Sequence, residues 1–278
     1  VSSSPLNVVS RNSCLKRRHI LLLSLVFVLL PHRAHSDDFA AKFESDHILP
    51  LVKQSPGGAL VIVENGKVVL QQVYGVRNEG GAELVTAETL FRIASLSKTF
   101  ASAAASILVK ETPLTWQAPL KTNLAHVKFK EPGYGGQISL KHLMSQSTGL
   151  MPHAYTNLIE ENMSYRRIVD RLDRVDFVCA PGKCYGYQNV VFSLIADLVE
   201  SETEFEYTEF VDANLFKPLA MSRASFGHKS FVNDPNHARP HVWTGTRWAS
   251  VKPTSHYYKV PPAAGVNASI SDMREWLL

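Results

Sequence analysis

The sequence predicts a mixed α/β (α+β) fold, with an antiparallel sheet flanked by helices and a second, mainly helical region. Two short strand-like runs surround Asn65-Gly66, and Asn-Gly is the strongest two-residue signal for a β-hairpin. Helical patterns dominate from residue 91 onward. The 242 residues after position 36 suit one large domain or two interleaved ones, and the 45% of apolar residues in the whole chain can form a core.

Residues 1–36 are predicted to be a secretory signal peptide. Three basic residues at 16–18 precede an apolar run at 20–30, and small residues at 34–36 flank a plausible cleavage point. A membrane anchor is the alternative, but an 11-residue apolar run is too short to span a bilayer. We therefore expect a secreted or periplasmic protein with no stable membrane span.

The basic charge of the chain belongs to this leader. It carries five Lys and Arg residues and no acid, so its removal takes the formal charge from +4 to −1. Nothing in the remaining domain, residues 37–278, then indicates a nucleic-acid partner.

The elements are predicted in order along the chain. Strands at 59–63 and 67–70 form the hairpin, and a helix follows over 91–110, with an alanine-rich body that permits close packing. Four more helices are predicted at 138–144, 168–177, 189–201 and 204–215.

The helix at 189–201 has the clearest pattern, because its apolar residues follow helical spacing. The segment 222–262 has weak periodicity and is predicted to form loops with short strands. A last helix is predicted to begin near Ser271, a candidate N-cap.

Ser95 and Lys98 form the most informative motif of the chain. A serine three residues before a lysine puts hydroxyl and amine on one face of a helix. A neutral amine there can take the serine proton and create a nucleophile. The motif is weak alone, since Ser13 and Lys16 in the leader also fit it. The structural alternative makes Ser95 a helix cap and Lys98 a solvated residue.

Further blocks strengthen the interpretation. Five of them occur in the order known from one enzyme superfamily, at 91–98, 138–150, 181–189, 216–221 and 264–273. From about residue 57 to its end, the chain resembles the serine β-lactamase and penicillin-binding superfamily. It is most similar to the branch of class C β-lactamases, D-Ala-D-Ala carboxypeptidases and related esterases. The resemblance implies a β-lactamase/transpeptidase-like fold.

The resemblance also implies roles for individual residues. Ser95 is the nucleophile, and its amide helps to hold an oxyanion. Lys98 is kept neutral by burial and nearby positive charge. Tyr187 shuttles a proton, and Asn189 bonds Lys98 and the substrate amide. Gln146, which replaces the usual His of its block, is a second substrate-binding residue. Whether Lys98 or Tyr187 is the base stays open.

A second Tyr-x-Asn triplet competes with the one at Tyr187. It begins at Tyr155 and shows that the motif is common by chance. Tyr187 is preferred because Pro181-Gly182 precedes it and an amphipathic helix follows. Equal losses of activity on substituting either tyrosine by Phe would contradict this assignment.

The cysteines and two of the histidines are candidates for other chemistry. Cys179 and Cys184 flank a turn-forming sequence and are expected to form a disulfide in an oxidising compartment, with two free core thiols as the alternative. His237 and His241 are four apart, but Pro240 lies between them and forbids a regular helix. We therefore predict no metal site. No organic cofactor is expected, because side chains supply the nucleophile and its bases.

The sequence contains no counterpart of the third motif of this superfamily, a Lys- or His-containing triplet ending in Gly. We therefore expect a domain that is incomplete at its C-terminus. The predicted function is that of an exported, monomeric serine hydrolase, which forms an acyl-enzyme on Ser95. Its substrate is a β-lactam, a D-Ala-D-Ala peptidoglycan peptide, or a small ester or amide. The alternative is a catalytically defective remnant or a penicillin-binding module without turnover.

Overall fold

The computed structural model of the chain describes residues 33–278. The predicted signal peptide lies outside the described residues, apart from its last four, which begin the first helix. The α-helices are α1 Arg33–Phe43, α2 Leu49–Val52, α3 Ser97–Glu111, α4 Pro132–Gly135, α5 Leu140–Met144, α6 Thr156–Glu160, α7 Tyr165–Val169, α8 Asn189–Phe192, α9 Leu194–Thr203, α10 Tyr207–Val211, α11 His228–Asn233, α12 Pro261–Ala264 and α13 Ile270–Leu277.

Shorter helical turns and seven strands complete this part of the chain. The 3-10 helices are Ala94–Leu96, Leu120–Thr122, Leu172–Arg174 and His256–Lys259, and the π-helical turns are Glu44–Ile48 and Asp212–Phe216. The strands are β1 Gly57–Glu64, β2 Lys67–Gly75, β3 Phe91–Arg92, β4 Ser225–Phe226, β5 His241–Trp243, β6 Trp248–Ser250 and β7 Val266–Ala268. They form three antiparallel sheets, β1-β2, β3-β7-β4 and β5-β6.

The predicted hairpin is confirmed. β1 and β2 pair from Gly57 opposite Gly75 to Glu64 opposite Lys67. Asn65 and Gly66 both have positive φ, 51° and 69°, as a two-residue hairpin turn with the right twist requires. The strands are longer than predicted, since pairing extends to Gly75.

The helix that carries Lys98 begins later than predicted. Residues 91 and 92 are not helical but form β3, where Phe91 pairs with Ala268 and Arg92 with Asn267 of β7. Ala94 then takes a left-handed φ of 47°, which a helix cannot accommodate. The helix therefore starts at Ser97, after one 3-10 turn.

Three later helices also differ from their predicted bounds. The helix predicted at 189–201 is interrupted between α8 and α9, where the hydroxyl of Ser193 donates to Asn189 O at 2.8 Å. In the segment 168–177, helix α7 ends at Val169, a 3-10 turn follows at Leu172–Arg174, and Phe177 pairs with Leu150 instead of being helical. Glu204, at φ 63°, ends α9, and α10 does not start until Tyr207.

The predicted cap at Ser271 is wrong. Ser269 is the N-cap of α13, and its hydroxyl accepts a hydrogen bond from the Asp272 amide at 3.1 Å. The Asp272 carboxylate in turn accepts from the Ser269 amide at 2.8 Å, which completes a capping box. Ser271 lies two residues after this cap, inside the helix, and its hydroxyl donates instead to Glu88.

The core forms around α3. Phe100, Ala104 and Leu108 are fully buried on one face of this helix, and its small alanines let α9 and α12 approach closely. The Phe100 ring also contacts Trp276 of α13, at 4.1 Å between centroids. Helix α13 packs in turn against β1. The buried cluster thus fixes the start of α3, where Ser95 and Lys98 lie.

Candidate active site

Ser95 lies in the tight turn between β3 and α3. The Ile93 amide donates to Val266 O at 3.2 Å, which anchors the turn to β7. The hydroxyl of buried Ser97 accepts from the Val266 amide at 3.0 Å and holds the other side. Between them Ala94 is in the left-handed region at φ 47°, a conformation that costs energy and is common at functional sites. The Ser95 side chain is thereby presented to solvent.

Ser95 does not act as a side-chain cap of α3. The residue at the N-cap position is Leu96, and no side chain caps this end of the helix. Within residues 33–278, no acceptor takes the hydrogen bond of the Ser95 amide. That amide is therefore available to an oxygen that binds beside the Ser95 hydroxyl.

Lys98 is held by three oxygen atoms. Its Nζ lies 2.9 Å from Asn189 Oδ1, 3.0 Å from Ala263 O and 3.4 Å from Ser95 Oγ. A neutral amine has two hydrogens and one lone pair. Donation to Asn189 and to the Ala263 carbonyl uses both hydrogens, so the lone pair can be directed at the Ser95 hydroxyl. This arrangement suits proton acceptance from Ser95.

Burial lowers the pKa of Lys98 from its ordinary value of 10.5, because the charged form loses hydration. The nearby Tyr187 hydroxyl opposes this lowering of the pKa. The expected contribution of a nearby positive charge is not among the causes. Burial alone therefore favours the neutral amine. The aromatic rings of Tyr187 and Phe192, whose centroids lie 4.6 Å and 5.4 Å from Nζ, attract the charged form and so oppose this shift.

Tyr187 faces Ser95 from the other side. Its hydroxyl lies 2.8 Å from Ser95 Oγ, and either oxygen can be the donor. Gln188 is extended, with φ −140° and ψ 118°, so Tyr187 and Asn189 project to the same side. The structure thus brings together Ser95, Lys98, Tyr187 and Asn189.

Tyr155 lies elsewhere. Its hydroxyl donates to Arg171 O at 2.9 Å and its ring packs against the core cluster. Of the two Tyr-x-Asn triplets, only the one at Tyr187 places its tyrosine hydroxyl against Ser95.

Gln146 is 8% exposed and supports the Tyr187 segment from behind. Its Oε1 accepts from the Gln188 amide and its backbone carbonyl accepts from the Gly186 amide, both at 2.8 Å. Its side-chain nitrogen is buried without a partner among the described residues. These contacts assign Gln146 a positioning role, and substrate contact by this residue stays a prediction.

His153 also contacts Tyr187 and is a site residue that was not predicted from the sequence. Its amide donates to Tyr187 O at 2.8 Å, and the two rings lie 5.4 Å apart. The backbone of His153 is left-handed, at φ 58°. Neither feature has a sequence motif, since both depend on how the loop after Leu150 folds back.

Cys179 and Cys184 are joined by a disulfide, with 6.3 Å between their Cα atoms. It closes the loop that leads into Gly186 and Tyr187. The same loop is fixed to the turn after α5, because the Val178 amide donates to Gly149 O at 2.8 Å. The disulfide therefore adds to the bracing of the Tyr187 wall.

The two candidate loop histidines make separate contacts. His237 Nδ1 lies 2.6 Å from Asp234 O, whereas His241 Nε2 accepts from the Glu79 amide at 2.9 Å.

Within residues 33–278, no helix is long and apolar enough to cross a membrane.

Comparison with known proteins identifies the family of this chain. The family model for beta-lactamases matches residues 45–278. Protein flp of Staphylococcus aureus (strain NCTC 8325 / PS 47) is 25% identical over 225 residues, which are 80% of this chain and 45% of that protein. A D-aminopeptidase of Gluconobacter oxydans (strain 621H) is 25% identical over 250 residues, 87% of this chain and 45% of that protein.

One solved structure gives the fold. The octameric penicillin-binding protein homologue from Pyrococcus abyssi superposes with a TM-score of 0.69 at 20% identity, over 88% of this chain and 55% of its own. The predicted fold class is thereby confirmed. The chain spans less than half the length of the curated relatives it matches.

Proposed function

We propose that this chain, which belongs to the beta-lactamase family, is an exported serine acyl-hydrolase that forms an acyl-enzyme on Ser95. One observation carries the proposal. The Ser95 hydroxyl lies within 2.8 Å of the Tyr187 hydroxyl and 3.4 Å of the Lys98 amine. A nucleophile with two candidate proton acceptors at this range is the arrangement that covalent acyl transfer needs.

The acylation step can be written with its protons balanced. Ser95 Oγ attacks the carbonyl carbon of the substrate while its proton passes to Lys98 or to a Tyr187 phenolate. The bond to the leaving amine or alcohol then breaks, and that group receives the proton. Water attacks the resulting ester in a second step, releases the acid and restores the Ser95 hydroxyl.

The negative oxygen of the tetrahedral intermediate needs donors. The Ser95 amide has no acceptor among the described residues and lies at the start of the helical segment, which supports a role as one of these donors. Asn189 is held by Lys98 at 2.9 Å, and we propose that its side chain also bonds the substrate amide.

The proposed substrates are a β-lactam, a D-Ala-D-Ala peptidoglycan peptide, or a small ester or amide. The family match supports an acyl carbonyl as the reacting group. A relative named D-aminopeptidase supports the inclusion of amides of D-amino acids. We further propose that the protein works in the periplasm or outside the cell, which the disulfide supports.

We propose that the protein is a monomer, whereas the similar protein from Pyrococcus abyssi is described as octameric. Light scattering coupled to gel filtration tests this. A mass of 30.9 kDa or less, after any cleavage of the leader, supports the monomer, and a multiple of the chain mass contradicts it.

Covalent labelling tests the nucleophile. A fluorescent penicillin and a fluorophosphonate should label the wild-type protein, and Ser95→Ala should abolish both labels. Ser106→Ala is the matched control, because Ser106 is exposed on the same helix and its hydroxyl donates to Ser102 O. Labelling that persists in Ser95→Ala would contradict the assignment. A stable label without hydrolysis of any substrate class would favour the penicillin-binding module without turnover.

A further inference from the structure

Three arginines line one cavity at the end of the β1-β2 hairpin, and none of the residues placed around Ser95 lines it. The cavity has a volume of about 260 Å³ and includes Arg77, Arg92 and Arg239 among its lining residues. Much of the remaining wall is apolar, with Val85, Phe91 and Phe231. Cavities for drug-sized ligands are usually larger, about 300–1,000 Å³, so this one suits a smaller molecule.

The three segments that carry the arginines are fixed by main-chain bonds. The Arg239 amide donates to Arg77 O at 2.9 Å. The Leu90 amide, next to β3, donates to Asn236 O at 2.8 Å, and the Ala238 amide returns a bond to Leu90 O at 2.9 Å. The guanidinium groups are therefore carried on a backbone that is already ordered.

Within residues 33–278, none of the three guanidinium groups forms an ion pair with a carboxylate. Arg77 donates through Nη1 to Pro235 O, but its Nε is buried without a partner among these residues. Arg92 lies over the ring of Tyr258, at 4.7 Å from its centroid. Buried donors are normally satisfied, so an unpaired Nε calls for an acceptor.

The nearby acids do not neutralise this cluster. Asp234 is bound by both of its oxygens to Arg223, at 2.8 Å and 2.9 Å. Glu83 lines an adjacent cavity of about 150 Å³ together with Arg77 and Arg239, outside the larger cavity. One carboxylate thus lies beside two of the three arginines, and no carboxylate lines the cavity that all three share.

We propose that this cavity is a binding site for a small oxyanion of the phosphate class. Guanidinium groups recognise such oxyanions through paired N–H donors. The apolar side of the cavity limits solvent screening there and strengthens the attraction, whereas Arg239 is exposed to solvent. The site is separate from the residues that surround Ser95, so it does not depend on the proposed hydrolase activity.

Titration calorimetry with inorganic phosphate tests the proposal on the full chain, at constant ionic strength with chloride as the replaced anion. Wild-type protein should bind one phosphate saturably, and phosphate should raise its melting temperature. In Arg239→Gln the dissociation constant should rise about tenfold or more, as expected for a lost charged hydrogen bond. Arg239→Lys keeps the charge but not the paired donors. Its dissociation constant for phosphate should lie between those of the wild type and Arg239→Gln.

Arg247→Gln is the matched control. It removes the same charge from an exposed position in the β5-β6 turn, which does not line the cavity. Its affinity for phosphate should equal that of the wild type. Absence of saturable binding to the wild-type protein overturns the proposal, and so does an equal affinity in the Arg239 variants and the control. Circular dichroism of each variant verifies that it is folded.

Discussion

Lys98 can accept the proton of Ser95 only as a neutral amine. Burial favours that form by lowering the pKa of Lys98 below 10.5. The same shift affects stability, because the unfolded chain binds the proton more tightly than the folded protein. The free energy of unfolding should therefore rise with pH through the folded-state pKa and become constant above 10.5.

The first prediction concerns the pH dependence of acylation. If Lys98 is the base, the rate constant for labelling by fluorescent penicillin should rise with pH below the pKa of Lys98 and then reach a plateau. Lys98→Arg stays charged and should lose about 10²–10⁴-fold in rate, the usual contribution of a general base. Lys110→Arg, at the exposed end of α3, is the control and should label normally. A rate independent of pH, or a fully active Lys98→Arg, would exclude Lys98 as the base.

The second prediction separates the two tyrosines. Tyr187→Phe removes the hydroxyl that lies 2.8 Å from Ser95 Oγ and should reduce turnover by about 10²–10⁴-fold. Tyr155→Phe removes a bond to Arg171 O and should lower the free energy of unfolding by about 1 kcal/mol, with turnover unchanged. Steady-state kinetics and urea titrations measure both effects. Equal losses of turnover would contradict the assignment of Tyr187.

The residues placed around Ser95 were predictable because short motifs specify them. Ser95 and Lys98 are one helical turn apart, and Tyr187 and Asn189 are two positions apart in extended chain. The supporting contacts of Gln146 and His153 were not predictable. Both act through backbone groups at 186–188, and side-chain chemistry carries no signal for such long-range pairing.

At the scale of the elements, the types of structure were easier to predict than their limits. The hairpin was predicted correctly because its turn is determined locally by Asn65-Gly66. The start of α3 was not predicted correctly, because β3 forms only by pairing with β7, more than 170 residues later in the chain. Long-range pairing also explains why Phe177 is not part of the helix predicted at 168–177, since it pairs with Leu150.

A third prediction concerns the cap of α13. Ser269→Ala breaks the capping box and should lower the free energy of unfolding by about 1 kcal/mol, in the range of measured caps. Ser271→Ala is the control two residues later, and its exposed bond to Glu88 should contribute less than about 0.5 kcal/mol. Urea titrations compare the two variants. An equal effect in both would mean that the cap does not stabilise this helix.

The fourth prediction concerns the turn after α5, which holds the disulfide loop. Gly149 has φ 85°, and a Cβ there would meet Cys179 O at 2.3 Å. Gly149→Ala should therefore displace the loop that leads to Tyr187 and reduce both stability and penicillin labelling. Gly80→Ala is matched, since Gly80 has φ 78° but open space around it. It should cost only the backbone strain, about 1 kcal/mol, and leave labelling intact. Unchanged labelling in Gly149→Ala would show that this turn does not position Tyr187.

At the scale of the whole molecule, the sheet side and the helical region share one core. The buried cluster includes Leu158 and Ile168 from the helical region as well as Val266 and Ala268 of β7. Helix α3 lies between them, with Leu108 fully buried. The wall that carries Ser95 and the wall that carries Tyr187 therefore depend on the same packing, although they are 92 residues apart in sequence.

This shared core predicts that the site and the fold are lost together. In a urea titration, the fraction of protein labelled by fluorescent penicillin and the helical circular dichroism signal should fall in one transition with the same midpoint. Leu108→Ala should lower both midpoints equally, with a loss of about 2–5 kcal/mol in the free energy of unfolding. Val68→Ala, at a partly exposed position of the hairpin, is the control and should change both far less. If labelling disappears at a lower urea concentration than the helical signal, the two walls are held by separate cores, and the Ser95–Tyr187 contact is the weaker part of the structure.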